Sequence, residues 1–123
     1  MRSRNIVEAF RFAFSGLWYA LRTQRNVRIH LVIAVVAVAL GLWLSLSPTQ
    51  WAVLTLTIGF VLASEMLNTV AETLVDLVSP GYHPLAKVVK DVTAGAVLLA
   101  AIVAVIVGLL VLGPPLWGRV FGE

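Results

Sequence analysis

The chain has 123 residues, 60% of them hydrophobic and 12% charged, with a formal net charge of +3 and no cysteine. A water-soluble fold of this length still exposes a large share of its surface and could not hide so much apolar area. The composition therefore implies a single integral membrane domain. Disulfides and thiolate chemistry are excluded, and nothing in the composition calls for a nucleic-acid partner.

The N-terminal segment "NIVEAFRFAFSGLWYALR" has helical periodicity. Ile6, Phe10, Phe14, Leu17 and Leu21 share one face, while Arg4, Glu8, Arg11, Ser15 and Arg22 share the other. A helix over 5–25 with aromatics opposite arginines is expected to lie in the headgroup plane. Two readings fit it: an anchor that sets topology, or a surface helix that also covers a lipid-substrate site, with Trp18 as its lipid-contact candidate. No cleaved signal peptide is expected, because the first apolar run opens only near Leu31, behind a basic and aromatic stretch.

From Leu31 to Ser64 there is no charged residue, and "SPTQ" (47–50) is the one interruption. Serine can cap a helix, proline fits its first position, and glutamine can reach back to the cap amide. One span is thus predicted over 26–46 and a second over 48–78. A third is predicted over 84–112, after "SPGYHP" (79–84). The last two exceed the roughly 20 residues needed to cross the hydrocarbon, so their ends project beyond it. Six arginines (2, 4, 11, 22, 25, 28) precede the apolar run of the first span, and Lys87 and Lys90 follow the second. Only Arg119 lies on the other side. This asymmetry predicts a cytoplasmic N-terminus and a cytoplasmic loop around 79–90. On the third helix Ala96, Ala100, Ala104 and Gly108 form a small-residue stripe, compatible with a bundle interior or an oligomer contact.

The second span ends in "EMLNTVAETLVD" (65–76). Glu65, Asn68, Thr69, Glu72 and Asp76 fall within an arc of about 100° along some 16 Å of helix. A solvated face would give the same arc, but Glu65 lies about 21 Å inward from Trp51, within the hydrocarbon depth. Ionisable groups at that depth are costly and usually functional. A second cluster, "HPLAKVVKD" (83–91), sets Lys87 and Lys90 beside Asp91 at the start of the third helix. Carboxylates next to lysines suit a phosphate anion carried with a divalent metal. No P-loop, Rossmann turn or zinc ligand set is present. His30 reads as an interface residue, while His83 sits beside the polar cluster and could touch a ligand. Phosphoryl transfer to a lipid alcohol would use each of these parts.

At these residues the sequence resembles a known family. "ExxNTxxExxxD" followed by "HPLAKxxKDxxAGAV" is similar to the bacterial diacylglycerol kinases, small membrane kinases, and "GLWYALRTQRNVRIHL" resembles the undecaprenol kinase branch. The resemblance covers about residues 8 to 112. It implies an all-α homotrimer of three-span subunits with an amphipathic surface helix, and active sites formed between subunits at the cytoplasmic membrane edge. The implied chemistry is ATP- and Mg²⁺-dependent phosphorylation of a lipid alcohol, undecaprenol in that branch or diacylglycerol as the alternative. By position, Glu65 resembles the general base, in contact with the lipid. Glu72 resembles a metal ligand that also meets the nucleotide, and Tyr82, His83, Lys90 and Asp91 match nucleotide-contacting positions. Asn68 and Asp76 match supporting polar positions. The family's second metal carboxylate is replaced by Gln24, an uncharged and weaker ligand. A proton-coupled carrier and an inactive scaffold remain as other classes. The carrier fits less well, since the polar groups crowd one end of the helices rather than the midplane.

Overall fold

The computed structural model describes residues 5–122, so Arg2 and Arg4 lie outside the described part. The fold is all helical: α1 (Ile6–Thr23), α2 (Arg25–Leu44), α3 (Pro48–Val78) and α4 (Pro84–Phe121). The last three are long and apolar enough to cross a membrane. The order of a leading amphipathic helix and three apolar ones is the one that hydropathy predicts.

Each joint has a local chemical cause. Asn5 caps α1 by accepting a hydrogen bond from the Glu8 amide at 3.0 Å. Gln24 is extended and turns the chain from α1 into α2. The Arg28 guanidinium holds that elbow, donating to the Leu21 and Arg22 carbonyls at 3.1 and 2.9 Å. These are carbonyls of the last turn of α1, which otherwise lack intrahelical partners. At the far end of α2, Ser45 adopts a left-handed conformation (φ 55°). Ser47 and Gln50 then form a reciprocal capping box of 3.2 and 2.8 Å, with Pro48 in the first helical turn. His83 begins α4 in the same manner, its Nδ1 accepting from the Leu85 amide at 3.1 Å.

The helices pack around a small core at the α2–α3 end, where Leu44, Leu46, Leu54 and Val111 are buried among Ala37, Ile58, Val107 and Leu116. The pairing of α3 with α4 is the most extensive in the fold. The small-residue stripe turns partly inward: Ala100 is buried and Ala104 and Gly108 are half-buried, while Ala96 is exposed. Most large apolar side chains face outward, including Leu42, Leu56, Leu77 and Leu109. Such a surface suits hydrocarbon or another subunit rather than water.

The third apolar helix runs to Phe121, beyond the end near Leu112 that the sequence predicts. Pro114 and Pro115 lie inside it. Each removes a backbone donor, which favours a stop. Tertiary contacts carry the helix through. Leu112 and Leu116 pack on the core, and within the last turns the Trp117 and Phe121 rings, four residues apart on the same helix, add a local contact at 4.3 Å. Arg119 donates to the Trp43 carbonyl at the end of α2, its guanidinium 5.1 Å from the Trp43 ring centre.

One glycine is required by close approach. A Cβ on Gly41 would lie 2.7 Å from the Trp51 indole and 3.0 Å from Leu46. Gly41→Ala is expected to destabilise the bundle by about 1–3 kcal/mol through overpacking. Denaturant unfolding of the purified protein in mild-detergent micelles measures it, and an unchanged transition would contradict the tight contact.

Candidate active site

The polar face of α3 is graded in burial. Glu65 is 2% exposed and Thr69 6%, Asn68 and Glu72 are half-buried, and Asp76 is exposed. The five residues therefore form a track that leads from inside the bundle to the α3–α4 connection. The hydroxyls near Glu65 on α3 are turned to its own backbone. Ser64 donates to the Phe60 carbonyl at 2.8 Å, Thr69 to that of Glu65 at 2.9 Å, and Thr73 to that of Thr69 at 2.8 Å. Such back-bonding satisfies the hydroxyls within the helix. It leaves the Glu65 carboxylate with no hydroxyl partner from its own helix.

The group that does reach it comes from α2. His30 Nε2 lies 3.2 Å from Glu65 Oε1. The ring N–H is not directed at the oxygen, so Oε1 remains buried without a hydrogen bond. The sequence-based reading of His30 as an interface residue misses this contact. Its signal is faint: Val27, Ala34 and Gly41, seven apart, are the inward face of α2, and His30 falls between the first two on that face. With small and apolar residues on every side of the helix, that face carries no polarity contrast to reveal it.

One turn further along, Asn68 Nδ2 approaches Glu72 Oε1 at 3.5 Å, a long contact. Asn68 Oδ1 is buried and has no partner. Gln24 sits at the α1–α2 elbow with its amide nitrogen 3.5 Å from Thr23 Oγ1. Among the described residues it makes no hydrogen bond to Glu72, and no three His, Cys, Asp or Glu side chains cluster as a metal cage.

At the α3–α4 connection two ion pairs order the polar groups. Lys90 Nζ bonds Asp76 Oδ1 at 2.8 Å and ties α4 to α3. Lys87 bonds Asp91 at 2.6 Å within α4. Asp76, Tyr82, His83, Lys87, Lys90 and Asp91 all border one open recess of about 450 Å³. Tyr82 is 82% exposed there. The structure thus brings together the candidates of the connection, and separately those around Glu65.

Two apolar grooves flank the track. One, about 260 Å³, starts at His30 and runs between α2, α3 and α4 along Ile33, Ala37, Ile58 and Leu62. The other, about 390 Å³, lies between α1 and α3, with Gly16, Tyr19 and Ala20 facing Met66 and Thr69. Trp18 does not line it and stays exposed.

A family model described as prokaryotic diacylglycerol kinase matches residues 11–112. The chain belongs to that family. The match covers every candidate residue from Trp18 to Asp91 and stops just before the proline-containing end of α4. A diacylglycerol kinase of Synechocystis is 50% identical over 113 residues, 91% of this chain and 65% of that protein. An undecaprenol kinase of Bacillus subtilis is 39% identical over 109 residues, 89% of each chain. A diacylglycerol kinase of Escherichia coli is 33% identical over 101 residues, covering 82% of this chain and 83% of its own. The prokaryotic diacylglycerol kinase family is thus a lipid-kinase family with relatives named for two different lipids.

The Asp76–Lys90 pair is the one ion pair between helices at this end among the described residues. Asp76→Asn is expected to quicken backbone hydrogen exchange in residues 79–83 and leave the α2–α3 turn unchanged. Equal exchange in both proteins would mean that the pair does not order the connection.

Proposed function

We propose that this chain transfers the γ-phosphoryl group of ATP to the hydroxyl of a membrane lipid alcohol, with Mg²⁺, and that undecaprenol is the acceptor. The observation that carries the reading is the buried Glu65 carboxylate, with one oxygen lacking a hydrogen bond, at the inner end of a polar track. In the proposed reaction the lipid oxygen bonds to the γ-phosphorus as the bond to the bridging oxygen breaks. ADP leaves, and the hydroxyl proton passes to Glu65. An alcohol is a poor nucleophile until a base takes its proton in the transition state.

The recess at the α3–α4 connection is our candidate for the nucleotide, with Tyr82, His83, Lys90 and Asp91 as its contacts and Asn68 and Asp76 in support. For Mg²⁺ we assign Glu72, Asn68 through its free oxygen, and Gln24. Asn68 Oδ1 is buried and partnerless, on the amide whose Nδ2 approaches the Glu72 carboxylate; with that amide turned over, the two oxygens would make a hard-oxygen pair of the kind Mg²⁺ takes together with phosphate oxygens and water. When bound, the ion would neutralise charge on the phosphates. The two apolar grooves, one bordered by His30 and the other by Thr69, suit a lipid tail that lies along the helices, with its hydroxyl presented at the Glu65 carboxylate.

Undecaprenol is supported by the likeness of "GLWYALRTQRNVRIHL" to that branch and by the Bacillus relative, which matches nearly end to end. Diacylglycerol is the second reading, favoured by the Synechocystis relative at 50% identity, of whose length this chain spans 65%. The excess of basic residues around α1 and the α3–α4 connection supports a cytoplasmic site in a bacterial plasma membrane. A homotrimer, with sites completed between copies, is part of the proposal and is in keeping with the outward-facing apolar surface.

The test is transfer of label from γ-labelled ATP to a lipid panel by purified protein in micelles. Undecaprenol is expected to be labelled faster than diacylglycerol. A clear preference for diacylglycerol would overturn the acceptor and keep the chemistry, and no labelling of any lipid would overturn both. Glu65→Gln is expected to assemble normally and lose at least about 100-fold in kcat. Full turnover of that variant would remove Glu65 from the role of base.

A further inference from the structure

His30 is the one ion-pairing partner of the Glu65 carboxylate among the described residues, and the reaction proposed above does not use it. The contact crosses from α2 to α3, whereas the hydroxyls of Ser64 and Thr69 are turned to backbone carbonyls. The orientation of the carboxylate therefore depends on a neighbouring helix rather than on its own. Exposure is unequal: the His30 side chain is 20% exposed and that of Glu65 is 2%. His30 also stands at the head of the apolar groove between α2, α3 and α4. Carboxylate and imidazole thus meet at a boundary between polar track and apolar channel.

We propose that His30 is a positioning residue for Glu65, holding Oε1 through its Nε2–H so that the second carboxylate oxygen faces the lipid hydroxyl. The proposal rests on the reading of Glu65 as the base. A neutral Nε2–H tautomer and the imidazolium both donate from that nitrogen. At 3.2 Å the nitrogen is already in reach, and a turn of the ring aligns the N–H. Catalytic hydrogen bonds are often misaligned in the free enzyme and tighten when substrate binds. A carboxylate fixed at one oxygen can offer the other along a single direction. Loss of that constraint lets the side chain sample rotamers that miss the hydroxyl, and a misplacement of about 1 Å can cost about 100-fold in rate.

The experiment compares His30→Ala, His30→Asn and His30→Gln in the γ-labelled ATP assay, beside wild type and Glu65→Gln. A glutamine amide nitrogen reaches the position of Nε2, and an asparagine amide that of Nδ1. His30→Ala and His30→Asn are expected to lose at least roughly 10-fold in kcat with the KM for ATP within about twofold of wild type. His30→Gln is expected to recover most of the loss. Wild-type kcat in His30→Ala, equal kcat in the Asn and Gln variants, or a loss confined to KM would each overturn the proposal. Where the alanine variant fails to assemble by size-exclusion chromatography, the Gln–Asn contrast decides. An inactive Glu65→Gln beside a fully active His30→Ala overturns this inference alone. A fully active Glu65→Gln overturns the reading of the base, and the inference with it.

Discussion

A carboxylate enclosed by apolar helices is the constraint on which the rest of this structure depends. Burial of an ionisable group without full compensation opposes folding, and Glu65 has a histidine in reach but no aligned hydrogen bond. Nothing in packing requires an acid there: Leu54 and Val61, also buried on α3, are aliphatic, and the buried Thr69 turns its hydroxyl to the backbone. A leucine would fill the position without the penalty. The site retains a group whose benefit lies outside stability, which in a membrane helix is the signature of chemistry or of transport.

The joints of the fold serve that carboxylate by fixing the helices around it. At the α1–α2 elbow Arg28 satisfies the frayed carbonyls of α1, which sets where α2 starts and hence where His30 falls. At the other end the capping box of Ser47 and Gln50 fixes the first turn of α3. The latch of Arg119 on Trp43 and the tight seat of Gly41 under Trp51 hold α2 against its neighbours. Near the proposed nucleotide recess the ties are fewer and more exposed, ion pairs rather than packed side chains. A region that admits and releases a ligand is drawn from the less stable part of a fold.

Much of this was legible in the sequence, for identifiable reasons. Apolar runs longer than a bilayer's thickness, a capping box with proline, and proline after histidine mark helix starts by purely local chemistry. The polar arc of α3 stood out because acids are rare among aliphatic residues. The rest depends on contacts between helices. His30 belongs to the site only because α2 lies against α3, and in a helix apolar on all sides the periodicity does not say which side faces inward. The persistence of α4 through Pro114 and Pro115 depends likewise on Leu116 and Arg119 meeting residues from elsewhere. Gly41 reads as one more small residue in a membrane helix until the indole of Trp51 is placed beside it. Membership of the prokaryotic diacylglycerol kinase family rests on the match over residues 11–112.

In the proposed reaction the lipid hydroxyl meets Glu65 where the terminal phosphate of ATP arrives. The most direct measurement is an experimental structure of the assembled protein with Mg²⁺, a non-hydrolysable ATP analogue and a lipid alcohol. The account predicts the hydroxyl oxygen within about 3 Å of a Glu65 carboxylate oxygen, aligned with the γ-phosphorus. A hydroxyl held elsewhere, with Glu65 still closed off between α2 and α3, would contradict it.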